Sequence, residues 1–280
     1  MSGMRFGLFA INFGACADPV LQRRVARAAE ESGFESIWTG EHVAMPVGHN
    51  PVGIDAGTPI LDSLVTLAHL AAHTEKLRLG TGILVLPHHN PMLLAKALTT
   101  LDVVSGGRLI AGFGGGYVEA EFKAIGASFR HRGAITDEYL DAMRAIWTEE
   151  VPRFSGRFAS FADVRCEPKP IQRPHPPIVI GGTSPKALRR AARVGDGWYG
   201  FAQTVAQTAE IVRELGRLRT ELGRADRPFE ISLTTFEPLT RELVAQATDA
   251  GVHRLILFPR ARPDALEATV RKLGADVVQA

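Results

Sequence analysis

The chain has 280 residues, of which 45% are hydrophobic, and its formal net charge is only +2 at pH 7. This size allows a large buried core, either in two domains or in one α/β barrel of ordinary length. The small net charge and the scattered arginines exclude a strong field that would recruit nucleic acid or an anionic membrane.

Apolar runs that favour strands alternate with helical patterns along most of the chain. The predicted strands cover residues 5–10, 36–39, 77–86, 109–112, 178–180, 197–201, 229–236 and 254–258. The first predicted helix starts at Pro19 after an Asp18 cap and ends at Gly33. The other predicted helices cover residues 61–73, 90–106, 135–149, 184–195, 205–222, 238–251 and 263–273.

Eight strand–helix units in strict order indicate βαβ units and a parallel sheet. Eight units favour an α/β fold of the closed (β/α)8 TIM barrel type, with an open doubly wound sheet as the alternative. The alternation pauses over residues 151–177, which are rich in Pro and aromatic residues and predict a hairpin from Phe154 followed by an extended arm. We therefore expect one domain over residues 1–280, with this insertion between strand 4/helix 4 and strand 5.

The two cysteines, Cys16 and Cys166, make neither a disulfide framework nor a Cys-x-x-Cys pair. The apolar run 6–13 is too short for a signal peptide and lacks its cationic leader, so we interpret it as strand one. No run of 18 apolar residues occurs, so no membrane-spanning helix is expected. These features predict a soluble, cytoplasmic protein.

Active sites of TIM barrels lie at the carboxyl ends of the strands. The residues that follow the predicted strands are Asn12, Phe13, Glu41, His42, Met45, Gly82, Ile83, 87–90, 114–117, 181–184, Trp198, Tyr199, Glu237, Pro259 and Arg260. An apolar mouth for a small organic substrate is predicted by Phe13, Met45, Trp198, Tyr199 and Phe201. None of these residues is a lysine, which disfavours a Schiff-base lyase.

His42 follows strand two beside Glu41, and an imidazole at a strand end suits proton transfer near neutral pH. A metal site is disfavoured. His69 and His73 have helical spacing, but Leu70 stands where a metalloprotease motif needs Glu. The adjacent side chains of His88 and His89 diverge, and we predict no metal ligands.

Two glycine segments could approach a ligand closely. Residues 181–184 (GGTS) run into a helix start, where free N–H groups and the helix dipole suit a phosphate, although Ser184 is also an ordinary helix cap. Residues 112–117 (GFGGGY) lack the third glycine of the dinucleotide fingerprint, since Tyr117 occupies its place. This segment is either a flexible loop or a surface on which a flat ring can lie.

Four segments carry a resemblance to a known family: 38–42 (WTGEH), 79–87 (LGTGILVLP), 101–108 (LDVVSGGR) and 187–198 (ALRRAARVGDGW). In their order and spacing they resemble the bacterial luciferase-like monooxygenases, barrel enzymes that use flavin or deazaflavin. The resemblance runs from Met4 to about Leu273. It implies an oxidoreductase and a homodimer.

The resemblance also implies residue roles. His42 matches the active-site histidine, Gly82–Ile83 matches a non-prolyl cis peptide behind the cofactor ring, and 181–184 match the cofactor phosphate region. The insertion matches a segment that borders the pocket. The predicted site thus has His42 as the catalytic residue and a cofactor-binding set of Glu41, Gly82, Ile83, Gly114, Tyr117, Gly181, Gly182, Thr183 and Ser184.

Segment 181–184 together with 196–198 (DGW) is similar to the branch that uses coenzyme F420. Some flavin-using relatives carry an arginine for the cofactor phosphate where this chain has Gly115, which weakens the case for FMN. Tyr117 stands where some relatives carry an acid. Glu119 and Glu121 lie nearby, and a helix-start role fits both equally.

The resemblance therefore predicts an F420-dependent oxidoreductase that moves hydride between a deazaflavin and an organic substrate. The alternatives are an FMN-dependent monooxygenase, a non-redox phosphate-binding barrel, and a cofactor-binding protein without turnover. A deazaflavin transfers electrons in pairs and reacts poorly with oxygen, whereas reduced FMN can capture oxygen.

Overall fold

Eight parallel strands close into a barrel in the computed structural model, which describes residues 3–48, 50–51 and 53–278. The strands in chain order are β1 (Arg5–Phe9), β2 (Ser36–Thr39), β3 (Arg78–Thr81), β4 (Leu84–Val85), β5 (Leu109–Gly114), β6 (Phe154–Ser155), β7 (Ser160–Phe161), β8 (Ile178–Gly181), β9 (Gly197–Phe201), β10 (Glu230–Thr234) and β11 (Arg254–Leu257). The barrel runs β1-β2-β3-β5-β8-β9-β10-β11, and pairing of β11 with β1 closes it. The predicted TIM barrel is confirmed, and the open sheet is excluded.

Helices surround the barrel and return the chain to the start of the next strand. They are α1 (Pro19–Glu31), α2 (Ser63–Ala71), α3 (Pro91–Val104), α4 (Glu119–Ala124), α5 (Arg132–Thr148), α6 (Pro185–Val194), α7 (Val205–Glu221), α8 (Arg241–Asp249) and α9 (Leu266–Leu273). Asp18, Asn90 and Ser184 cap their helices, and a proline follows each in the first turn, where no amide donor is needed. None of the helices in the described ranges could cross a membrane.

Successive side chains of a strand point to opposite faces of the sheet, so the strands divide the core into two layers. The larger layer lies between strands and helices. A smaller cluster fills the barrel, contributed by strands on every side: Phe9, Trp38, Ile110, Val179, Tyr199 and Ile256. The Tyr199 hydroxyl lies 2.8 Å from Thr234 Oγ1, and burial raises the pKa of this tyrosine.

The amino-terminal end of the barrel holds an ionic network built around one buried arginine. Arg254 in β11 is fully buried and donates to both oxygens of Glu35, at 2.8 and 2.9 Å. Its Nη1 lies 3.1 Å from Glu230 in β10, and Glu230 accepts from Arg5 in β1 at 2.7 Å. Burial alone would raise the pKa of Glu35, but the hydrogen bond and charge of Arg254 outweigh it and lower that pKa.

Several element boundaries differ from the prediction by a few residues, and three features of the predicted chain near the site were wrong. The third strand, expected to run unbroken over 77–86, is interrupted between β3 and β4, where the Gly82–Ile83 peptide bond is cis. The fourth strand continues past 112 to Gly114. Residues 119–124 form α4, which the sequence did not reveal because six residues are too few for a helical period and only Glu121 and Phe122 of them are buried.

The insertion is a hairpin and an extended arm, as expected. Strands β6 and β7 pair antiparallel, and the Glu138 carboxylate of α5 accepts hydrogen bonds from three turn amides at 2.6–2.9 Å. The arm is fixed by the buried Asp102 of α3, which accepts from the amides of Ile171 and Gln172. These contacts hold the insertion against α3 and α5 and return the chain to the start of β8.

Candidate active site

The carboxyl ends of the strands form one mouth, and the predicted site residues divide it into two halves. β3, β5 and β8 are neighbours, and the glycine-rich elements Gly82–Ile83, Gly114 and 181–184 lie at their ends. The neighbouring strands β2, β1, β11 and β10 form the other half. This half carries His42 and aromatic side chains. The mouth therefore has a glycine half and an aromatic half.

His42 is held by Glu121, a carboxylate that we had not assigned to the site. His42 Nδ1 lies 3.1 Å from Glu121 Oε2, and the two side chains are 11% and 3% exposed. The other oxygen of Glu121 accepts from the amide of Ala44 at 3.4 Å. Because an ionised carboxylate only accepts, Nδ1 carries the proton, and Nε2 has no hydrogen-bond partner among the described residues. Nε2 is therefore the nitrogen available for chemistry.

Glu41 points to the interrupted strand. Its Oε2 accepts from the amide of Val85 at 2.6 Å, and its Oε1 lies 2.8 Å from His89 Nε2. Burial alone would lower the pKa of His89, but Glu41 outweighs burial and raises it, which favours an imidazolium–carboxylate pair. Both oxygens of Glu41 are thus engaged within the protein. This favours a positioning role over the cofactor contact that we predicted.

Glycines make room for the side chain of Ile83. A Cβ atom on Gly114 would lie 1.9 Å from Ile83 Cδ1, and one on Gly181 would lie 3.0 Å from the same atom. Gly112 packs similarly close, since its Cβ would lie 1.9 Å from the Thr81 carbonyl oxygen. The glycines of β5 and β8 therefore seat the kinked segment against the barrel wall. For residues 112–117, which include two of these glycines, the sequence predicted either a flexible loop or a surface for a flat ring.

The turn 181–184 is fixed by two contacts. The Trp198 indole donates to the Gly182 carbonyl at 2.9 Å, and Ser184 Oγ caps α6 by accepting from the Ala187 amide at 3.2 Å. Gly182 has a φ of +104°, a conformation that suits glycine. Gly182, Thr183 and Ser184 are exposed at the amino end of α6. This arrangement leaves the turn accessible to an anion.

The mouth is aromatic, with one correction. Trp198 is fully buried in the layer between strands and helices, because it alternates with Tyr199 along β9, so it does not line the mouth. Tyr117 is 59% exposed and stands edge-on to His42, with ring centroids 6.4 Å apart. Partial burial and the charge of the nearby Glu121 raise the pKa of Tyr117, so its hydroxyl stays protonated at neutral pH.

Three histidines and two carboxylates meet on this side of the mouth: Glu41, His42, His88, His89 and Glu121. Burial lowers the pKa of His88, whose ring packs edge-on against Phe122 at 4.4 Å. Within the described ranges, no three His, Cys, Asp or Glu side chains are arranged to hold a metal ion.

The fold and site define a luciferase-like barrel. Residues 4–271 match the family described as luciferase-like monooxygenase, and the chain belongs to this family. Its members are oxidoreductases that use flavin or F420. This protein is likewise a flavin- or F420-dependent oxidoreductase. Membership therefore favours a redox enzyme over the non-redox barrel and the binding protein without turnover.

Relatives with different cofactors resemble the chain. An uncharacterized protein of Mycobacterium tuberculosis is 33% identical over 89% of this chain and 91% of its own length. The FMNH(2)-dependent dimethylsulfone monooxygenase of Pseudomonas putida is 38% identical over 63% of this chain and 47% of its own length. The structure of an F420-dependent secondary alcohol dehydrogenase, with an F420–acetone adduct, has a TM-score of 0.81 and 16% identity over 99% of both chains.

Proposed function

We propose that this protein is an F420-dependent oxidoreductase that transfers hydride between the deazaflavin and an organic substrate. The observation that carries the proposal is the division of the mouth. The kinked, glycine-seated backbone at Gly82–Ile83 belongs to the glycine half, and His42 belongs to the aromatic half, where it stands edge-on to Phe13. A flat redox ring fits the glycine half, and an apolar substrate fits the aromatic half.

The residues at the glycine half fit the cofactor. Gly82 and Ile83 would support the ring from behind, Gly114 and Tyr117 would border it, and the exposed turn 181–184 would bind its phosphate through amides at the start of α6. F420 supplies two-electron hydride chemistry when bound. Gly115 offers no side-chain cation for a phosphate after β5, which favours F420 over FMN.

His42 is proposed as the catalytic residue. With Nδ1 held by Glu121, its Nε2 can accept a proton from a substrate hydroxyl or return one to a carbonyl oxygen. Phe13 stands edge-on to the imidazole and packs on Phe9, and these apolar rings would limit the access of bulk water to the proton-transfer site.

Parallel fluorescence titration of the protein with F420 and FMN tests the proposal. We expect saturable F420 binding, weak FMN binding, and anaerobic hydride transfer that His42→Ala abolishes while F420 binding persists. Tight FMN binding without F420 binding would reverse the assignment.

An FMN-dependent monooxygenase is the second candidate. The 38% identity to the dimethylsulfone monooxygenase favours it, since that protein's name states a dependence on reduced FMN. This candidate predicts that the reduced, FMN-loaded protein consumes oxygen in step with substrate. The F420 enzyme instead turns over without oxygen.

We also propose that the chain is one domain, acts in the cytoplasm and forms a homodimer. The exposed side chains of Val65 in α2 and of Leu93 and Val104 in α3 support the dimer, since these two helices are adjacent. Both cysteines are free and buried, which agrees with a reducing compartment. Light scattering should give twice the mass of the chain.

A further inference from the structure

Arg260 follows β11 at the aromatic half of the mouth and lies over two aromatic rings. Its Cζ is 4.7 Å from the centroid of Phe236 and 5.9 Å from that of Phe258. No carboxylate in the described part of the chain forms a salt bridge with it. Glu237, which is close in sequence, instead accepts from the Val205 amide at 2.7 Å and the Thr235 hydroxyl at 3.2 Å.

The N–H donors of the Arg260 guanidinium are free for an anion. Its Cζ lies over the two rings, the side chain is exposed, and none of its N–H groups donates to a described residue. An edge of paired donors matches the two oxygens of a carboxylate. The neighbouring Arg262 is different, because Asp264 lies 3.4 Å from its Nη2.

A continuous row of rings joins Arg260 to the catalytic histidine. Phe258 packs on Phe9 with centroids 5.9 Å apart, Phe9 packs on Phe13 at 6.1 Å, and Phe13 stands edge-on to His42 at 6.4 Å. The row follows the neighbouring strands β11, β1 and β2. A molecule lying along it would have an apolar body on the rings, one end at His42 and the other at Arg260.

We propose that the substrate is an apolar molecule with a carboxylate or a similar two-oxygen anion at the end remote from the reacting carbon, and that Arg260 binds this anion. The inference rests on the proposed function, because it takes His42 as the reacting end. It also specifies the charge and the shape of the substrate, which the proposed function leaves open.

Calorimetric titration at pH 7 and low salt tests the anion site with two probes of the same shape, 4-phenylbutanoate and 4-phenylbutanamide. The protein is titrated both free and loaded with F420. We expect the carboxylate to bind about tenfold more tightly than the amide. Arg260→Gln should remove this preference without changing amide affinity, and salt should reduce it. Arg262→Gln is the matched control and should keep it.

Equal affinities of the two probes, no saturable carboxylate binding, or a preference that survives Arg260→Gln would overturn the proposal. Arg260→Gln could also weaken F420 binding as much as it weakens carboxylate binding. That result would mean that Arg260 binds acidic groups of the cofactor, and it too would overturn the proposal. An intact preference in a protein that binds neither F420 nor FMN contradicts the proposed function alone. Equal affinities of the two probes in a wild-type protein that binds F420 contradict only the anion site.

Discussion

The contact between His42 and Glu121 is the central feature at the scale of single residues. Glu121 is 2% exposed, and its two oxygens hold both the imidazole and the amide of Ala44. The carboxylate therefore fixes the ring, its tautomer and the loop that carries it. It acts on a substrate only through His42, which makes it a positioning residue.

Replacing Glu121 with glutamine keeps the shape of the side chain and removes its charge. We expect kcat to fall by about 10²-fold, because the tautomer of His42 is no longer imposed. The affinity for F420 should change little, since Glu121 does not belong to the glycine half. Stopped-flow measurement of hydride transfer over a range of pH, with fluorescence titration of F420, separates the two effects.

Glu119→Gln is the matched control, because Glu119 is exposed in the same turn of α4. It should leave both the rate and its pH profile unchanged. An unchanged pH profile in the Glu121 variant would refute the positioning role.

At the scale of elements, the interrupted third strand is held from two sides. The glycines of β5 and β8 accommodate Ile83 behind it, and the carboxylate of Glu41 binds the amide of Val85 and the ring of His89 beyond it. Among the described strands β4 pairs with β5 alone, so backbone groups on its other edge need partners such as Glu41.

Glu41→Gln should destabilise the fold by about 1–3 kcal/mol at pH 6, because it removes the charge that pairs with His89. The pKa of His89 is raised in the folded state above its ordinary value of 6.5. The stabilisation from protonated His89 is therefore complete below about pH 6.5 and is lost as pH rises through the raised pKa. The difference between wild type and variant should shrink from pH 6 to pH 9 in urea denaturation.

Glu75→Gln, at an exposed acid before β3, serves as the control and should show no such dependence on pH. A deficit in the Glu41 variant that is constant across this pH range would argue against a charged pair with His89.

At the scale of the whole molecule, the two ends of the barrel have different roles. One end holds stabilising contacts, and the other holds the candidate active site. The amino-terminal end is closed by the network of Arg254, Glu35 and Glu230, which joins β11, β10 and the residue before β2. The carboxyl-terminal end carries the loops and the candidate active site. Barrels of this class place catalysis and stability at opposite ends in the same way.

Arg254→Met should cost about 1–3 kcal/mol of unfolding free energy, because it removes a fully buried guanidinium from two partly exposed carboxylates, Glu35 and Glu230. F420 binding by the folded fraction should persist, since the change lies at the opposite end. Urea denaturation and F420 titration of the same sample measure both effects. Arg153→Met removes an exposed pair with Asp163 and should matter much less. A loss of cofactor affinity in the folded Arg254 variant would contradict the separation.

The architecture could be predicted from local signals along the chain. Alternating strands and helices, the caps at Asp18, Asn90 and Ser184, and the pause over 151–177 each depend on residues close in sequence. The short motifs around His42 and Gly82–Ile83 likewise indicated the family and the cis peptide bond, because such motifs are contiguous.

Only the tertiary structure decided which side chains work together. Glu121 reaches His42 across 79 positions, and Glu41 reaches the amide of Val85 across 44. No local sequence pattern predicts these contacts. They depend on how the barrel closes and on α4, a helix too short to show a helical period in the sequence. The same closure brought Arg260 onto Phe236. The sequence by itself determined the helices and strands, because the interactions that form them are local. Only the tertiary structure decided the site, because its contacts join strands that are distant in sequence.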